Sequence, residues 1–306
     1  MSTLERTRTE ATPRIRIGWV LLTAFAPIVW GTTYIVTTTL LPPGHPMFAA
    51  MMRSLPAGLI ALLISRQLPH GVWVLRSFVL GVLNMGAFFP LLFVAAQNLP
   101  GGVAATLGAS QPIMVAFLTV GILHQRLSGL SLLWGVIGVV GVGLVVLGPG
   151  AGMNAVGVAA GLAGAASMAV GVTLAKKWGR PPGASAIAFA GWQLTAAGLM
   201  LLLPALLIDG VPTIDAKAWL GYAWLGIVGA LLAYSLWFAG IRQLPVTATA
   251  LLGLLSPLVA ALLGAVLAGE SLTPIQLVGF GLALAAMVAG QLTAKPASLP
   301  PPKGSP

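Results

Sequence analysis

The sequence has 306 residues, of which 58% are apolar and only 7% are charged, with a net charge of +10. Because a soluble domain carries about 25% charged residues, this composition excludes a water-soluble globular protein. The apolar residues form blocks of about twenty, the length of a helix that crosses a bilayer, and they lack the ~10-residue alternating segments of a membrane barrel. The sequence therefore predicts an all-α membrane protein.

Ten apolar blocks follow one another along the chain, separated by joints that are rich in glycine, proline or polar residues. The first block is too long for the apolar core of a signal peptide, so we expect it to remain as the first helix. Tails of disordered composition are expected at residues 1–15 and 295–306. The ten predicted transmembrane helices are residues 17–41, 46–65, 73–97, 100–123, 129–148, 154–176, 184–208, 216–241, 246–268 and 273–293.

Lysine and arginine are distributed unevenly between the joints. When the joints are assigned to alternate sides, thirteen of the 15 basic residues fall on one side, Lys217 falls on the other, and Arg53 lies inside the second helix. Because basic residues in short loops stay in the cytoplasm, we predict a bacterial-type cytoplasmic (inner) membrane protein with both termini inside. The positive charge is spread over many joints instead of one binding face, which argues against a nucleic acid partner.

An internal repeat divides the chain into two halves. The stretch LPGGVAATLGASQPIMVAFL from Leu99 and the stretch LPVTATALLGLLSPLVAALL from Leu244 agree at eight of twenty positions, at an offset of 145 residues. Each half contains five helices, an odd number, so the second half is expected to enter the membrane upside down. We predict two inverted five-helix repeats, residues 16–150 and 151–294, a design that is common in secondary transporters.

The repeat contains a matched pair of prolines in the middle of the fourth and ninth predicted helices, Pro112 and Pro257. A proline in a helix interior removes a hydrogen bond and kinks the helix. Two interpretations stay open: a hinge or gate that moves during transport, and a static kink that helps the helices to pack.

Three stretches resemble the drug/metabolite transporter (DMT) superfamily, EamA type: FAPIVWGTTYIV at 25–36, MFAAMMRSLPAGLIALL at 47–63 and GAVLAGESLTPIQLVGFGLALAAMVAG at 264–290. Within that family the chain is similar to the YddG-type exporters of aromatic and other amino acids. The resemblance implies a midplane cavity lined by helices 1, 3, 4, 6, 8 and 9, with helices 5 and 10 peripheral. The family often has a glutamate in two equivalent joints, whereas this chain has Glu270 in one and Gln125 in the other.

Uncharged polar and aromatic side chains inside the helices are predicted to line the substrate cavity. Such residues suit an amphipathic organic solute with a small polar head. The alternative for each aromatic residue is a lipid-facing or interfacial position. The candidates are Trp30, Thr33, Tyr34, Asn84, Phe88, Ser110, Gln111, Trp192, Tyr234 and Trp237.

Arg53 is the one charge well inside a predicted helix. Its insertion costs at least ~2.5–3.5 kcal/mol, so it needs an explanation. Three interpretations stay open: its side chain reaches outward to the membrane surface, it pairs with Glu270, or it holds the carboxylate of a substrate.

The sequence contains no nucleophile–base pair, metal-ligand spacing or phosphate-binding loop, so we expect neither an enzyme nor a cofactor or metal site. The predicted function is export of amino acids or similar small metabolites by alternating access. An efflux carrier for drugs or toxic cations with the same fold and a channel are the alternatives. The lack of a mid-membrane carboxylate favours gradient-driven transport over proton coupling. The expected partners are a small-molecule substrate and lipid, and the oligomeric state stays open, a monomer included.

Overall fold

A computed structural model describes residues 17–108, 110–124, 129–146, 154–240, 252, 255–267 and 272–293. Within these ranges the regular structure is helical, which confirms the predicted all-α class. The α-helices are α1 Ile17–Gly31, α2 Thr33–Leu40, α3 Pro46–Ser65, α4 Val72–Gly81, α5 Phe88–Asn98, α6 Gly101–Gly108, α7 Gln111–Leu123, α8 Gly129–Val146, α9 Ala155–Trp178, α10 Ala186–Pro204, α11 Ala216–Ala223, α12 Ala233–Gly240, α13 Leu255–Leu267 and α14 Pro274–Thr293.

Three π-helical segments interrupt or extend these helices. Val82–Gly86 lies between α4 and α5, Ala205–Asp209 extends α10, and Trp224–Leu232 joins α11 to α12. The wider turns keep each run helical while changing its hydrogen-bonding register. The predicted third, seventh and eighth helices therefore each consist of α-helix and π-helix together.

Six of the described runs are long and apolar enough to cross a membrane, judged by length and composition. About twenty residues of helix are needed for the ~30 Å hydrocarbon core. These runs coincide with six of the predicted transmembrane helices to within a few residues. They are Gly18–Leu40, Pro46–Ser65, Val72–Asn98, Ala155–Ala175, Ala186–Asp209 and Ala216–Trp237, and the shorter apolar helices are Leu133–Leu144, Leu255–Gly264 and Pro274–Ala286.

Several helix starts carry side-chain caps. The side chain of Asn154 accepts hydrogen bonds from the first turn of α9, that of Ser185 from α10 and that of Asp215 from α11. Each cap satisfies a backbone N–H that has no partner inside the helix. Asp209 does the same for a distant helix, because its carboxylate accepts from the backbone N–H groups of Met47 and Phe48 in α3, at 2.7 and 3.0 Å.

Helices α3 and α10 pack closely along their length, and glycines make the close approach possible. Gly58 of α3 lies directly against the backbone and side chain of Thr195, and a Cβ atom built on Gly198 of α10 would lie 2.5 Å from the Cα of Leu55. Small residues of this kind let the backbones of membrane helices approach one another. This pair forms the central contact between the first and second halves of the chain.

The remaining helix pairs occur in matched sets. Take any two helices that contact each other, and replace each by the helix at the same position in the other half of the chain. In most cases the two replacements also contact each other. Helices α8 and α14, the predicted peripheral pair, pack mainly on each other. The principal pairings are α3 with α10, α8 with α14, α6 with α13, α5 with α9 and its counterpart α1 with α12, α7 with α9 and its counterpart α1 with α13, and α3 with Trp224–Leu232 and its counterpart α10 with Val82–Gly86.

Pro112, one of the two predicted kink prolines, lies in the first turn of a helix. Helix α6 ends at Gly108 and α7 begins at Gln111, so the chain breaks before Pro112. Pro257 lies in α13, and because residues 253 and 254 just before this helix lie outside the described residues, the kink at Pro257 stays a prediction. A proline in a first turn removes no intrahelical hydrogen bond. The expected loss of a hydrogen bond at Pro112 is therefore wrong, although the interruption of the predicted helix is real, and the hinge stays a prediction.

Candidate functional site

Three aromatic side chains gather between α1 and α12. The ring of Trp30 lies 5.0 Å from that of Tyr234 and 5.3 Å from that of Trp237, centroid to centroid, in tilted arrangements. Tyr234 and Trp237 are three residues apart on α12, so they share a face. We call Trp30, Tyr234 and Trp237 the aromatic cluster. It joins one helix of each half.

The backbone carbonyl of Gly229 accepts hydrogen bonds from two side chains of the first half. Trp30 Nε1 donates to it at 3.1 Å, and Arg53 Nη2 donates at 3.4 Å. Gly229 lies in the π-helical segment Trp224–Leu232, where the regular pairing of carbonyl groups is disturbed. The carbonyl therefore fixes the aromatic cluster and the buried arginine to the same point.

Arg53 is buried inside the bundle, with 2% of its surface exposed. Its Nη1 donates to Thr33 Oγ1 at 3.5 Å, its guanidinium lies 4.4 Å from the centre of the Phe89 ring, and its Nε has no hydrogen-bond partner. Arginine carries five N–H donors, so its two long hydrogen bonds leave most of its capacity unused. The interpretation that this side chain reaches outward to the surface is wrong, because the surrounding helices enclose it. Glu270 and Gln125 lie outside the described residues.

A second buried polar pair joins α10 to the π-helical segment Val82–Gly86. Asn84 Nδ2 donates to Gln193 Oε1 at 2.9 Å, and Gln193 Nε2 donates to the carbonyl of Phe189 at 3.2 Å. Both side chains are buried, and Asn84 also lies against Gly171 of α9. Gln193 thus pairs with the amide N–H of a predicted cavity residue, while Asn84 Oδ1 has no hydrogen-bond partner among the described residues.

We expect Asn84→Ala and Gln193→Ala each to lower the free energy of unfolding by ~1–3 kcal/mol, because each leaves a buried amide without its partner. The double variant should cost less than the sum of the two single changes, with a coupling of at least ~0.5 kcal/mol. Denaturant titration of the purified protein in detergent measures these values. Gln97→Ala, which removes an exposed hydrogen bond to Gly44, is the control and should change stability by about 0.5 kcal/mol or less. Additive single-variant effects would contradict the pairing.

The other predicted cavity residues lie outside the aromatic cluster, at different points of the bundle. Tyr34 is buried on α2 and borders a small void between α2, α6 and α13. Phe88 packs against Phe89 at 5.8 Å. Ser110 donates its hydroxyl proton to the carbonyl of Leu107 at 2.6 Å, and Gln111 is half-buried at the start of α7. These residues lie on the first-half helices around the cluster without joining it.

Trp192 belongs to a different region from its neighbour Gln193. Its Nε1 donates to the carbonyl of Gln67 at 2.7 Å, and it borders a cleft of about 410 Å³ at the end of the bundle where α3 ends and α10 begins. Sequence reasoning missed Gln67, whose side chain donates to the carbonyl of Gly183 and accepts from the N–H of Ser185. The cleft is lined by Arg66, Gln67, Leu68, His70, Trp73, Pro181, Pro182, Gly183, Ala184 and Trp192.

The opposite end of the bundle is held by amide side chains. Asn154 Nδ2 donates to Asn98 Oδ1 at 2.7 Å, which ties the start of α9 to the end of α5. The N–H of Gly44 donates to Gln97 Oε1 at 3.2 Å. These contacts are partly exposed single hydrogen bonds, so each contributes only ~0.5–1.5 kcal/mol.

Taken together, the apolar helices and the polar, aromatic centre between the halves define a multi-pass helical membrane protein. The EamA-like transporter family matches the chain twice, at residues 17–147 and at residues 155–289. The chain belongs to the EamA-like transporter family, which confirms the resemblance seen in the sequence. A solved crystal structure that is 20% identical has the same fold, with a TM-score of 0.64 over 90% of this chain and 99% of the other.

Relatives from three bacteria cover most of the chain. Protein PecM of Dickeya dadantii is 43% identical over 265 residues, 86% of this chain and 89% of its own length. The uncharacterized inner membrane transporter YedA of Escherichia coli K12 is 28% identical over 275 residues, 85% and 86% of the two chains. The probable amino-acid metabolite efflux pump of Salmonella typhimurium is 26% identical over 270 residues, 85% and 90% of the two chains. The protein is therefore a membrane transporter of this family.

Proposed function

We propose that the protein consists of two inverted five-helix repeats, residues 16–150 and 151–294, with tails 1–15 and 295–306 in the cytoplasm. The twofold match to one family supports the duplication. The offset of 145 residues found in the sequence carries the π-helical segment Val82–Gly86 to positions inside Trp224–Leu232. The matched helix pairings support the same relation between the halves.

Contacts between joints support the alternation of sides. The pair Asn98–Asn154 connects two joints that the charge distribution assigns to the outside, and Gln67 connects two joints that it assigns to the cytoplasm. If one of the helices did not cross the membrane, a joint assigned to the outside would contact a joint assigned to the cytoplasm. An even number of crossings, with both termini inside, fits these contacts.

Single-cysteine labelling tests this topology, and the chain has no native cysteine to interfere. We expect a cysteine at Gly102 to react with a membrane-impermeant maleimide added outside whole cells, and a cysteine at Thr247 to react only after permeabilisation. Cysteines at Ser2 and Ser305 should behave like the one at Thr247. Labelling of Gly102→Cys and Thr247→Cys from the same side would refute the inverted repeat.

The proposed function is export of small amphipathic metabolites, with aromatic and other amino acids as the favoured class, by alternating access between the two repeats. The observation that carries this proposal is the meeting of Trp30 and Arg53 from the first half with Gly229, Tyr234 and Trp237 from the second. A solute bound between two halves contacts both, so movement of one half against the other changes the side to which it is exposed. The relative whose name describes an amino-acid metabolite efflux pump supports the substrate class.

The two bundle ends suggest how access alternates. Opening towards the outside requires separation of contacts such as Asn98–Asn154, and opening towards the cytoplasm requires separation of those made by Gln67. Each is a small number of hydrogen bonds, and each broken bond is replaced by bonds to water. These hydrogen bonds therefore add little to the free-energy difference between the states.

Counterflow in proteoliposomes tests the function. Vesicles preloaded with unlabelled L-tryptophan should accumulate labelled L-tryptophan, with saturation, when they contain the protein. Ethidium in place of L-tryptophan tests the alternative of cation efflux, and an unsaturable ionic current in planar bilayers would indicate a channel. Saturable ethidium counterflow without L-tryptophan counterflow would replace the proposed substrate class.

A further inference from the structure

The two buried polar pairs occupy equivalent positions in the two halves. A shift of 140 residues carries Gly58 to Gly198 and Leu55 to Thr195. The contact of Gly58 with Thr195 therefore corresponds to the contact of Gly198 with Leu55. The same shift carries Arg53 to Gln193. For the third and eighth predicted helices, the repeat offset of 145 carries Asn84 to Gly229 and Phe89 to Tyr234. The hydrogen bond between Asn84 and Gln193 is therefore the counterpart of the one between Gly229 and Arg53.

The two pairs differ in how completely they satisfy their donors. In the first, one amide side chain meets another at 2.9 Å. In the second, glycine contributes only its backbone carbonyl, 3.4 Å from the guanidinium, and that carbonyl also accepts from Trp30. An unpaired buried charge is costly, so a buried guanidinium normally has an anionic partner. Among the described acidic residues, Asp209 and Asp215 accept hydrogen bonds from helix N-termini instead.

The surroundings of Arg53 indicate what kind of anion would fit. The face of Phe89 and the ring of Tyr234 stand at equivalent positions of the repeat, and Trp30 and Trp237 lie beside Tyr234. Aromatic rings favour an aromatic or flat apolar body. A guanidinium favours a carboxylate, because the two planar groups form a bidentate pair. A solute that satisfies both has a carboxylate close to an aromatic ring.

We propose that Arg53 binds the carboxylate of the transported solute and that the aromatic cluster receives its ring. This inference rests on the proposed function and makes it more specific. The carboxylate meets the unused donors of Arg53, including Nε, and supplies the opposite charge. The substrate class is then an aromatic carboxylic acid or amino acid, and the site discriminates against amides and amines of the same shape.

Ligand-induced thermal stabilisation of the purified protein in nanodiscs tests this directly. Indole-3-acetate and indole-3-acetamide have the same ring and nearly the same shape, and only the first carries a carboxylate. We expect the acetate to bind at least about tenfold more tightly, because hydrogen bonds to a charged partner are about twice as strong. Arg53→Gln should bind the two compounds equally. The control Arg76→Gln removes a cation that stacks on Trp73 and Trp178 instead, and it should keep the full preference.

Each outcome bears on the inference. Equal binding of the two compounds by the unchanged protein, or a preference that survives Arg53→Gln, would overturn it. If Arg53→Gln does not fold, Arg53→Lys keeps the charge without the planar fork, and an undiminished preference in that variant would also count against the bidentate pair. A preference that appears only in Glu270→Gln would show that Glu270, and not a solute, neutralises Arg53, which would also overturn the inference. An Arg53-dependent preference without L-tryptophan counterflow would refute the proposed transport while leaving the binding site in place.

Discussion

Replacement of Trp30 with alanine is expected to lower the rate of L-tryptophan counterflow at least about tenfold, while Trp19→Ala leaves it within about twofold. Trp30 packs against Tyr234 and Trp237 and donates to Gly229, so its removal takes away ring contacts worth ~0.5–1.5 kcal/mol each together with a hydrogen bond between the halves. Trp19 lies near the start of α1, the usual place of an interfacial tryptophan. Initial rates at equal protein content provide the measurement.

A third variant separates loss of the site from loss of the fold. Trp30→Phe keeps an aromatic ring but removes the N–H that donates to Gly229. It should retain more activity than Trp30→Ala, and its thermal midpoint should lie closer to that of the unchanged protein, while both variants stay folded at the assay temperature. Equal transport by Trp30→Ala and Trp19→Ala, with both proteins folded, would remove the aromatic cluster from the proposed substrate path.

Replacement of Gly198 with leucine is expected to have the largest effect on stability. Any Cβ at this position meets the backbone of Leu55, and backbone atoms on a packed helix cannot move away as a flexible side chain can. The cost should reach or exceed the ~1–3 kcal/mol typical of overpacked cores, because the contact lies at the centre of the α3–α10 pair. Loss of the monodisperse peak in detergent chromatography and a lowered thermal midpoint are the expected signs.

The matched control for this prediction is Gly281→Leu. Gly281 lies on α14, and a Cβ built on it has no other atom within 4 Å. The leucine side chain would extend into lipid, where it is well tolerated, so the thermal midpoint should stay nearly unchanged. Comparable destabilisation by both substitutions would mean that the packing of α3 on α10 does not limit the stability of the protein.

Element bounds could be predicted from the sequence where the chain carries strong local signals. The predicted second helix, residues 46–65, agrees with α3 residue for residue. Pro46 stands at its first position, where proline is favoured, and Arg66 ends it in a left-handed conformation with its N–H bonded to the carbonyl of Leu62. A kink at Pro112 was predicted, but the end of α6 at Gly108 was not, because the apolar block of residues 100–123 looks continuous in composition.

The site was harder to predict, because the position of a residue along a helix gives its depth in the membrane but not the direction in which its side chain points. Arg53 could be placed inside a helix, yet only the packing of α3 shows that its guanidinium turns towards Phe89 and Gly229. Trp192, a predicted cavity residue, is adjacent to Gln193, but neighbouring residues on a helix point about 100° apart. Their side chains accordingly serve separate regions, one at the cleft and one in the bundle interior.

The carbonyl of Gly229 belongs to the second half of the chain and accepts hydrogen bonds from side chains on two helices of the first half. A carboxylate that draws the guanidinium towards itself competes with this carbonyl, so each arriving solute loosens one of the bonds that hold the halves together. Occupancy and mobility are then thermodynamically linked: the loaded carrier should reorient faster than the empty one. Exchange of one solute for another would accordingly outpace net efflux.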